Sequence, residues 1–392
     1  MFNFLDIARH AAGTVAKAAS KVPMVESKFQ MNARLQGPWP EGPFLWMHGA
    51  SLGECKMLLN LARFLKEDIE NCPKILITTQ KVEVLKFLQE SDAGIEAAIA
   101  PADTPAAMKK FISQVKPVGL ILGENELWPG YLSSMRKISV RPSVAIVSGR
   151  YHNSLPGIDF SAVGYASMQT GADLSRFLNV ASRSNISKMM IGGDWKLLPW
   201  VRSKKEVTAP VDPTVNTAFV SMHMAEWASL CRMIVSSIKR QESVVLIPRR
   251  LGEVDAFRKA LRDQELMVVE WPLVQKGAVS MVSKYGQTKE VLATAKTAVV
   301  GGSFSRGLGV HDFWEPIQMG VATCIGPFAT GHKDSAASLV NEGVLTQLQS
   351  TAGYSKRNLP DPRLVSTFLT HERTKIQDSY DHLLDFLKKL LQ

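Results

Sequence analysis

The chain has 392 residues, 45% of them hydrophobic and 21% charged, enough to bury a sizeable core and too apolar for a disordered protein. Its four cysteines (Cys55, Cys72, Cys231, Cys324) show no CxxC spacing, which argues against a zinc site or a disulfide framework and suits a reducing compartment. The formal net charge is +10, yet the basic residues are dispersed and no nucleic-acid motif appears, so phosphorylated substrates or an anionic membrane surface fit this charge better than nucleic acid.

From the start of the chain, Leu5, Ala8, Ala12, Val15 and Ala19 fall at helical spacing beside Arg9, Lys17 and Lys21. Two readings stand for Met1–Val22: a helix lying on a membrane surface, and an ordinary packed helix. No secretory signal and no run of about 18 apolar residues occurs, so no segment is predicted to span a bilayer. Short apolar runs then alternate with amphipathic stretches. In the first half the predicted strands are Phe44–Ala50, Lys74–Thr79, Val118–Leu122, Ser143–Val147 and Lys188–Ile191. In the second they are Ala218–Met222, Ser243–Ile247, Met267–Val269, Thr297–Val300 and Val321–Ile325. Helical patterns such as Lys56–Ile69 and Trp227–Lys239 separate them, so the alternation predicts α/β architecture with parallel sheets covered by helices. The pattern pauses at Leu198–Asn216, with Pro199, Pro210, Pro213 and the charged run Arg202–Glu206, as an interdomain linker would. The predicted organisation is a Rossmann-like domain over 1–200, a linker over 201–215, a second such domain over 216–375 and a terminal helix over 376–392. Two hinged halves of this kind place a cleft between the carboxyl ends of both sheets, where such sheets bind ligands. The terminal stretch His371–Leu391 groups Leu383, Leu384, Phe386, Leu387, Leu390 and Leu391 on one helical face.

The polar residues of interest follow the strands. His48-Gly49-Ala50-Ser51-Leu52-Gly53-Glu54 leads directly into a helix, whose free N–H groups suit an anion. Read locally, Glu54 is either a first-turn carboxylate complementing the helix dipole or a functional group. After Val118–Leu122 comes Gly123-Glu124-Asn125-Glu126-Leu127-Trp128-Pro129, in which the two carboxylates are open to capping or function. After Thr297–Val300 a Gly-rich stretch, Gly301-Gly302-Ser303-Phe304, runs on through Gly309-Val310-His311-Asp312 to Glu315-Pro316. It is neither a Walker A loop nor a dinucleotide fingerprint, so ATP and NAD are not indicated. Ser221, His223, Glu226, Pro248-Arg249-Arg250 and Lys196 complete the strand-end set.

These segments, in order from Trp46 to about Asp334, resemble the signature segments of 3-deoxy-D-manno-octulosonic acid (Kdo) transferases. The resemblance implies a GT-B fold and inverting transfer of Kdo from CMP-Kdo to a lipid A precursor, in lipopolysaccharide biosynthesis at the cytoplasmic face of the inner membrane, with no metal for the transfer. It implies Glu54 as general base, with Glu124 and Lys196 stabilising the transition state. Ser51, Gly53, Ser221, His223, Glu226, Pro248, Arg249, Tyr285-Gly286-Gln287, Gly302, Ser303, Gly309 through Asp312 and Glu315 become substrate-binding candidates. The chain departs from the family at Arg250 (usually His), Val310 (Gly), Asp312 (Asn), Gln287 (a carboxylate), Met224 and Gly130. Most departures lie in the donor half, so two alternatives accompany the main reading. One is a divergent relative using another CMP-ulosonic acid or glycolipid acceptor. The other is a non-catalytic glycolipid- or nucleotide-binding protein.

Overall fold

The computed structural model describes Thr14 and residues 30–91, 93–151, 158–181, 186–203, 212–350 and 359–392. The helix expected over Met1–Val22 lies outside these residues apart from Thr14, as does the 204–211 portion of the expected linker. The chain divides into two compact units: Met1–Ser203 with Thr374–Gln392, and Lys204–Arg373.

The first unit is built on a seven-stranded sheet of β1 (Phe44–His48), β2 (Ile75–Thr79), β3 (Glu96–Ile99), β4 (Pro117–Gly123), β5 (Val144–Gly149), β6 (Val163–Met168) and β7 (Lys188–Ile191). Their order is β3-β2-β1-β4-β5-β6-β7, and every pairing is parallel. β1, β2, β5 and β6 are buried along their whole length, which is why they read as apolar runs, whereas the edge strand β7 is not. Trp46 packs between Phe111 and Tyr131, with ring centroids 4.7 and 4.8 Å away, at the centre of the core. β1 continues to β2 on one side while β4 continues to β5 on the other. The carboxyl ends of the neighbours β1 and β4 therefore flank the crevice where the strand order reverses.

The second unit repeats the plan with β8 (Val215–Met222), β9 (Val244–Pro248), β10 (Met267–Glu270), β11 (Ala278–Met281), β12 (Ala295–Val300), β13 (Ala322–Ile325) and β14 (Leu345–Gln347). The order is β10-β11-β9-β8-β12-β13-β14, again all parallel, and the reversal falls between β8 and β12.

Four strands are absent from the sequence-based set: β3, β6, β11 and β14. Their sequences EAAI, VGYASM, AVSM and LTQ are short and rich in small or polar residues; β6 and β11 are buried by their neighbours, whereas β3 and β14 are partly exposed edge strands. Two further corrections concern boundaries. Leu198–Arg202, placed at the head of the linker, is a short helix with proline in its first turn. The last helix runs from Pro362 to Leu391, well before His371, because the Asp361 carboxylate accepts from the Arg363 N–H at 2.8 Å and starts it. Its second part is fixed to the first unit's sheet: Tyr165 Oη lies 2.6 Å from the Ser379 carbonyl, and Ser167 Oγ 2.7 Å from Ser379 Oγ.

Candidate active site

In the first unit the loops after β1 and β4 meet. Ser51 caps the helix Leu52–Asp68, accepting from the Glu54 N–H at 3.2 Å, and Glu54 Oε2 in return accepts from Ser51 N–H at 3.2 Å and Ala50 N–H at 2.6 Å. The helix-cap reading of Glu54 is thus correct as geometry. It does not exhaust the residue, since no salt bridge holds Glu54 among the described residues. Burial, followed by the charges of Glu124 and Glu126, holds its carboxyl above its ordinary pKa against the hydrogen bonds from Ala50 and Ser51.

Glu124 is 6% exposed and takes a left-handed backbone conformation, with φ of 48°. A non-glycine residue held there stores strain and marks a constrained position. Its carboxylate pairs with Lys196 Nζ at 2.6 Å and Arg150 Nη1 at 3.1 Å. Burial opposes ionisation of Glu124, but the two cations outweigh it and hold its carboxyl below the ordinary value. Burial likewise opposes the charge on Lys196, and Asp194 and Glu124 outweigh it, raising its pKa. Lys196 is set by the turn Trp195–Leu197, where Asp194 Oδ1 accepts from the Lys196 N–H at 3.0 Å. The ammonium passes beside Gly53, where a side chain would have its Cβ 3.7 Å from Nζ.

Glu126 is held differently. Its Oε2 lies 3.1 Å from His48 Nε2 and accepts from Trp128 Nε1 at 2.7 Å. Burial opposes its charge too, and the His48 and Trp128 contacts bring its pKa below the ordinary value. The environment therefore splits three neighbouring carboxyls, Glu54 upward and Glu124 and Glu126 downward, the pattern that separates a proton acceptor from fixed negative charges. Sequence reasoning did not select Arg150, His48 or Glu126 as site residues. Arg150 stands just after β5 in Ser148-Gly149-Arg150, a strand-end position like the others, and that was the signal available.

In the second unit the loops after β8 and β12 meet in the same way. Glu226, 1% exposed, spends its whole carboxylate on the backbone: Oε2 accepts from His223 N–H at 3.1 Å and Gly302 N–H at 2.9 Å, and Oε1 from Phe304 N–H at 2.9 Å. It shapes the Gly-rich loop from beneath. Gly302 has φ of 76°, and a Cβ on it would sit 2.0 Å from the Gly309 carbonyl oxygen. Gly302→Ala is expected to lower the stability of this unit by about 2 kcal/mol or more, read as a drop in Tm. Ser303 is also internal, donating to the Val300 carbonyl at 2.6 Å and accepting from Gly326 N–H at 2.8 Å. Asp312 Oδ1 accepts from the N–H groups of Trp314 (2.9 Å) and Glu315 (3.3 Å), so it caps a short helix. Glu315 has its pKa raised by burial and by Asp312. Val310 is buried, Pro248 ends β9, and Gln287 precedes the helix Thr288–Leu292.

His223, Arg249, Arg250, Tyr285, Gly307, Leu308 and His311 line a cavity of about 560 Å³. Ser221, the penultimate residue of β8, has a φ of 56°, and Gly286 and Gly309 take positive φ nearby in sequence to Tyr285 and His311. His223 Nε2 and His311 Nε2 are 2.7 Å apart, so one donates to the other, and their rings stack at 4.9 Å. Burial, Arg249 and His223 lower the His311 pKa to about 4. A cavity with two arginines, a hydrogen-bonded histidine pair and an exposed tyrosine ring suits an anionic ligand carrying a flat group.

The family model described as 3-deoxy-D-manno-octulosonic-acid transferase (kdotransferase) matches residues 24–187. A 3-deoxy-D-manno-octulosonic acid transferase of Aquifex aeolicus is 26% identical over 306 residues, covering 76% of this chain and 80% of that one. One from Chlamydophila psittaci is 24% identical over 332 residues, covering 79% and 75%. Among solved structures, UDP-GlcNAc 2-epimerase from Neisseria meningitidis superposes with a TM-score of 0.54 at 12% identity, covering 89% of this chain and all of that one. MurG from Acinetobacter baumannii does so with a TM-score of 0.52 at 12% identity, with the same coverage. At these identities the structural likeness speaks for the fold, which is GT-B.

Proposed function

We propose that this chain, which belongs to the 3-deoxy-D-manno-octulosonic acid (Kdo) transferase family, transfers Kdo from CMP-Kdo to a lipid A precursor with inversion. The observation that carries the reading is the arrangement of the three carboxyls: Glu124 is paired with Lys196 and Arg150, Glu126 lies against His48 and Trp128, and Glu54 is held, among the described residues, only by main-chain N–H groups, with its carboxyl above its ordinary pKa, as suits a proton acceptor. The acceptor hydroxyl gives its proton to the Glu54 carboxylate as its oxygen bonds to the anomeric carbon. The bond from that carbon to the phosphate oxygen breaks, and CMP leaves with the electron pair. Lys196, anchored on Glu124, stabilises the charge that develops during this displacement. One displacement inverts the anomeric centre.

In the second unit, Arg249, Arg250 and the His223–His311 pair receive the phosphate of CMP, and Tyr285 lies against its flat base. Ser303 and Glu226 serve this site by shaping the loop, and Asp312 by capping the helix that carries Glu315. Among the described residues no helix is long and apolar enough to cross a membrane. The net charge of +10 favours an anionic surface, which supports access to a lipid acceptor by peripheral contact at the cytoplasmic face as part of this proposal.

The test is mass spectrometry of a lipid A precursor incubated with the protein and CMP-Kdo. A mass gain of one or more Kdo residues is expected, and an unaltered acceptor alongside turnover of a different CMP-sugar would replace this donor. Two pH dependences follow. Glu54 must be ionised to act, so kcat is expected to fall as pH drops through a pKa above the ordinary carboxylate value. Because His311 titrates at about 4, CMP affinity measured by calorimetry is expected to show no histidine step above pH 5 from that residue.

A further inference from the structure

Lys196 rides on a turn of only three residues, Trp195–Leu197, and its ammonium must stay where Glu124 meets it. What holds that turn lies in the neighbouring strands. The register of β5 against β6 shifts between Ile146 and Gly149, and within the shift Ser148 takes a φ of 54°. Such an irregularity re-aims a side chain, and the left-handed backbone it needs is one that favours glycine. Serine brings a hydroxyl to this position, and every bonding position of that hydroxyl is used. Ser148 Oγ accepts from the Trp195 N–H at 3.1 Å and from Gln169 Nε2 at 3.0 Å, and donates to Asp194 Oδ1 at 3.4 Å. One donor and two acceptor positions are all that a hydroxyl has. Asp194 Oδ1 in turn accepts from the Lys196 N–H at 3.0 Å. Ser148, Gln169, Asp194 and Trp195 are all buried, so loss of the hydroxyl strands buried donors.

We propose that Ser148 is a positioning residue for the transfer, its hydroxyl fixing the turn that carries Lys196 to the strand that also fixes Glu124. The inference rests on the role given to Lys196 in the proposed function. The Glu124 N–H donates to the Val147 carbonyl at 3.1 Å, one residue before Ser148. Cation and counter-ion are thus tied to adjacent residues of β5, and their own contact at 2.6 Å closes the ring. Gln169 braces the arrangement from β6, since its N–H donates to the Gly149 carbonyl at 2.8 Å while its side chain holds the hydroxyl. Ser148 is completely buried and acts through Lys196. The turn has a second anchor in the Trp195 ring, which is buried with its centroid 6.2 Å from that of Tyr380. Losing the hydroxyl therefore loosens the ammonium without releasing the turn, and a displacement of about 1 Å at a reacting site costs up to about 100-fold in rate.

Ser148→Gly keeps the left-handed backbone, removes the hydroxyl and separates position from folding. Its kcat for Kdo transfer is expected to fall by about 10–100-fold, with KM for CMP-Kdo within about twofold of wild type. A second readout needs no activity: acylation of lysines in the full chain by acetic anhydride, followed by mass spectrometry. Lys196 is expected to react about fivefold faster in the variant, relative to the exposed Lys74. Ser148→Ala keeps the Cβ, is expected to give the same two changes, and serves if the glycine variant folds poorly. In a Lys196→Met background, Ser148→Gly is expected to cost no more than about twofold further, because nothing remains to be positioned. Unchanged Lys196 acylation in a folded variant would overturn the proposal. So would a lowered Tm with rate and acylation intact, or a full further loss of rate in the double variant, since each assigns the hydroxyl to something other than Lys196. Wild-type protein that transfers no Kdo would refute the functional reading, while the acylation pattern still decides whether Ser148 holds Lys196.

Discussion

Glu54→Gln is expected to lower kcat for Kdo transfer by about 10²–10⁴-fold while leaving Tm unchanged or slightly higher. The two halves of this expectation come from the same atoms. The amide oxygen can accept from Ala50 and Ser51 as Glu54 Oε2 does, so the capping box survives. The proton acceptor does not. The sign on stability follows from linkage: the folded state holds Glu54 above its ordinary pKa, so the ionised form is disfavoured on folding once pH exceeds the unfolded value. A neutral amide removes that penalty at neutral pH. Single-turnover kinetics and a thermal melt on the same preparation check both halves. A full rate in this variant would remove Glu54 as the base, and a fall in Tm would return it to a purely structural cap.

The second large effect is at Glu124. Glu124→Gln leaves Lys196 and Arg150 facing a neutral amide in a buried site, and is expected to destabilise the first unit by about 2–4 kcal/mol. Transfer is expected to fall by about 10²–10³-fold, because Lys196 loses the partner that aims it. Adding Lys196→Met separates the two consequences. The pair of substitutions removes one stranded cation, so part of the lost stability should return while the activity should not. Recovery of both together would mean that Glu124 and Lys196 act only on folding. The acid dependence has the opposite sign from Glu54: Glu124 is held below its ordinary pKa, so the stability it contributes is present above the unfolded value and lost as pH falls through the folded one.

How much of this was legible beforehand depended on what each residue needed from its neighbours. Buried strands of branched and aliphatic residues, such as Ile75–Thr79 and Val144–Val147, announce themselves. β6, with Gly164, Ala166 and Ser167, is a strand because it pairs between β5 and β7, and its Tyr165 and Ser167 side chains find their partner at Ser379, more than two hundred residues away. Nothing local says so. The loops His48–Glu54 and Gly123–Pro129 stood out because charge at a strand end is conspicuous. Their pairing did not, because β1 and β4 are separated by two other strands in sequence and become neighbours only in the sheet. His48 and Glu126 are 78 residues apart, and Arg150 finds Glu124 across 26. Glu226 shows the converse: its position was conspicuous, and its work proved to be internal.

That work has a consequence for how this site can change over time. Glu226 grips the Gly-rich loop through main-chain N–H groups of His223, Gly302 and Phe304, so the path of the loop depends on one carboxylate and on glycines rather than on the side chains the loop displays. Asp312 adds main-chain contacts of its own to Trp314 and Glu315, and Val310 is buried, so both belong to the frame. Arg250 is exposed and lines the cavity, so its side chain can be exchanged without redrawing the backbone, and a library randomised at 250 with Glu226 and Gly302 kept is where altered sugar selectivity should be sought first.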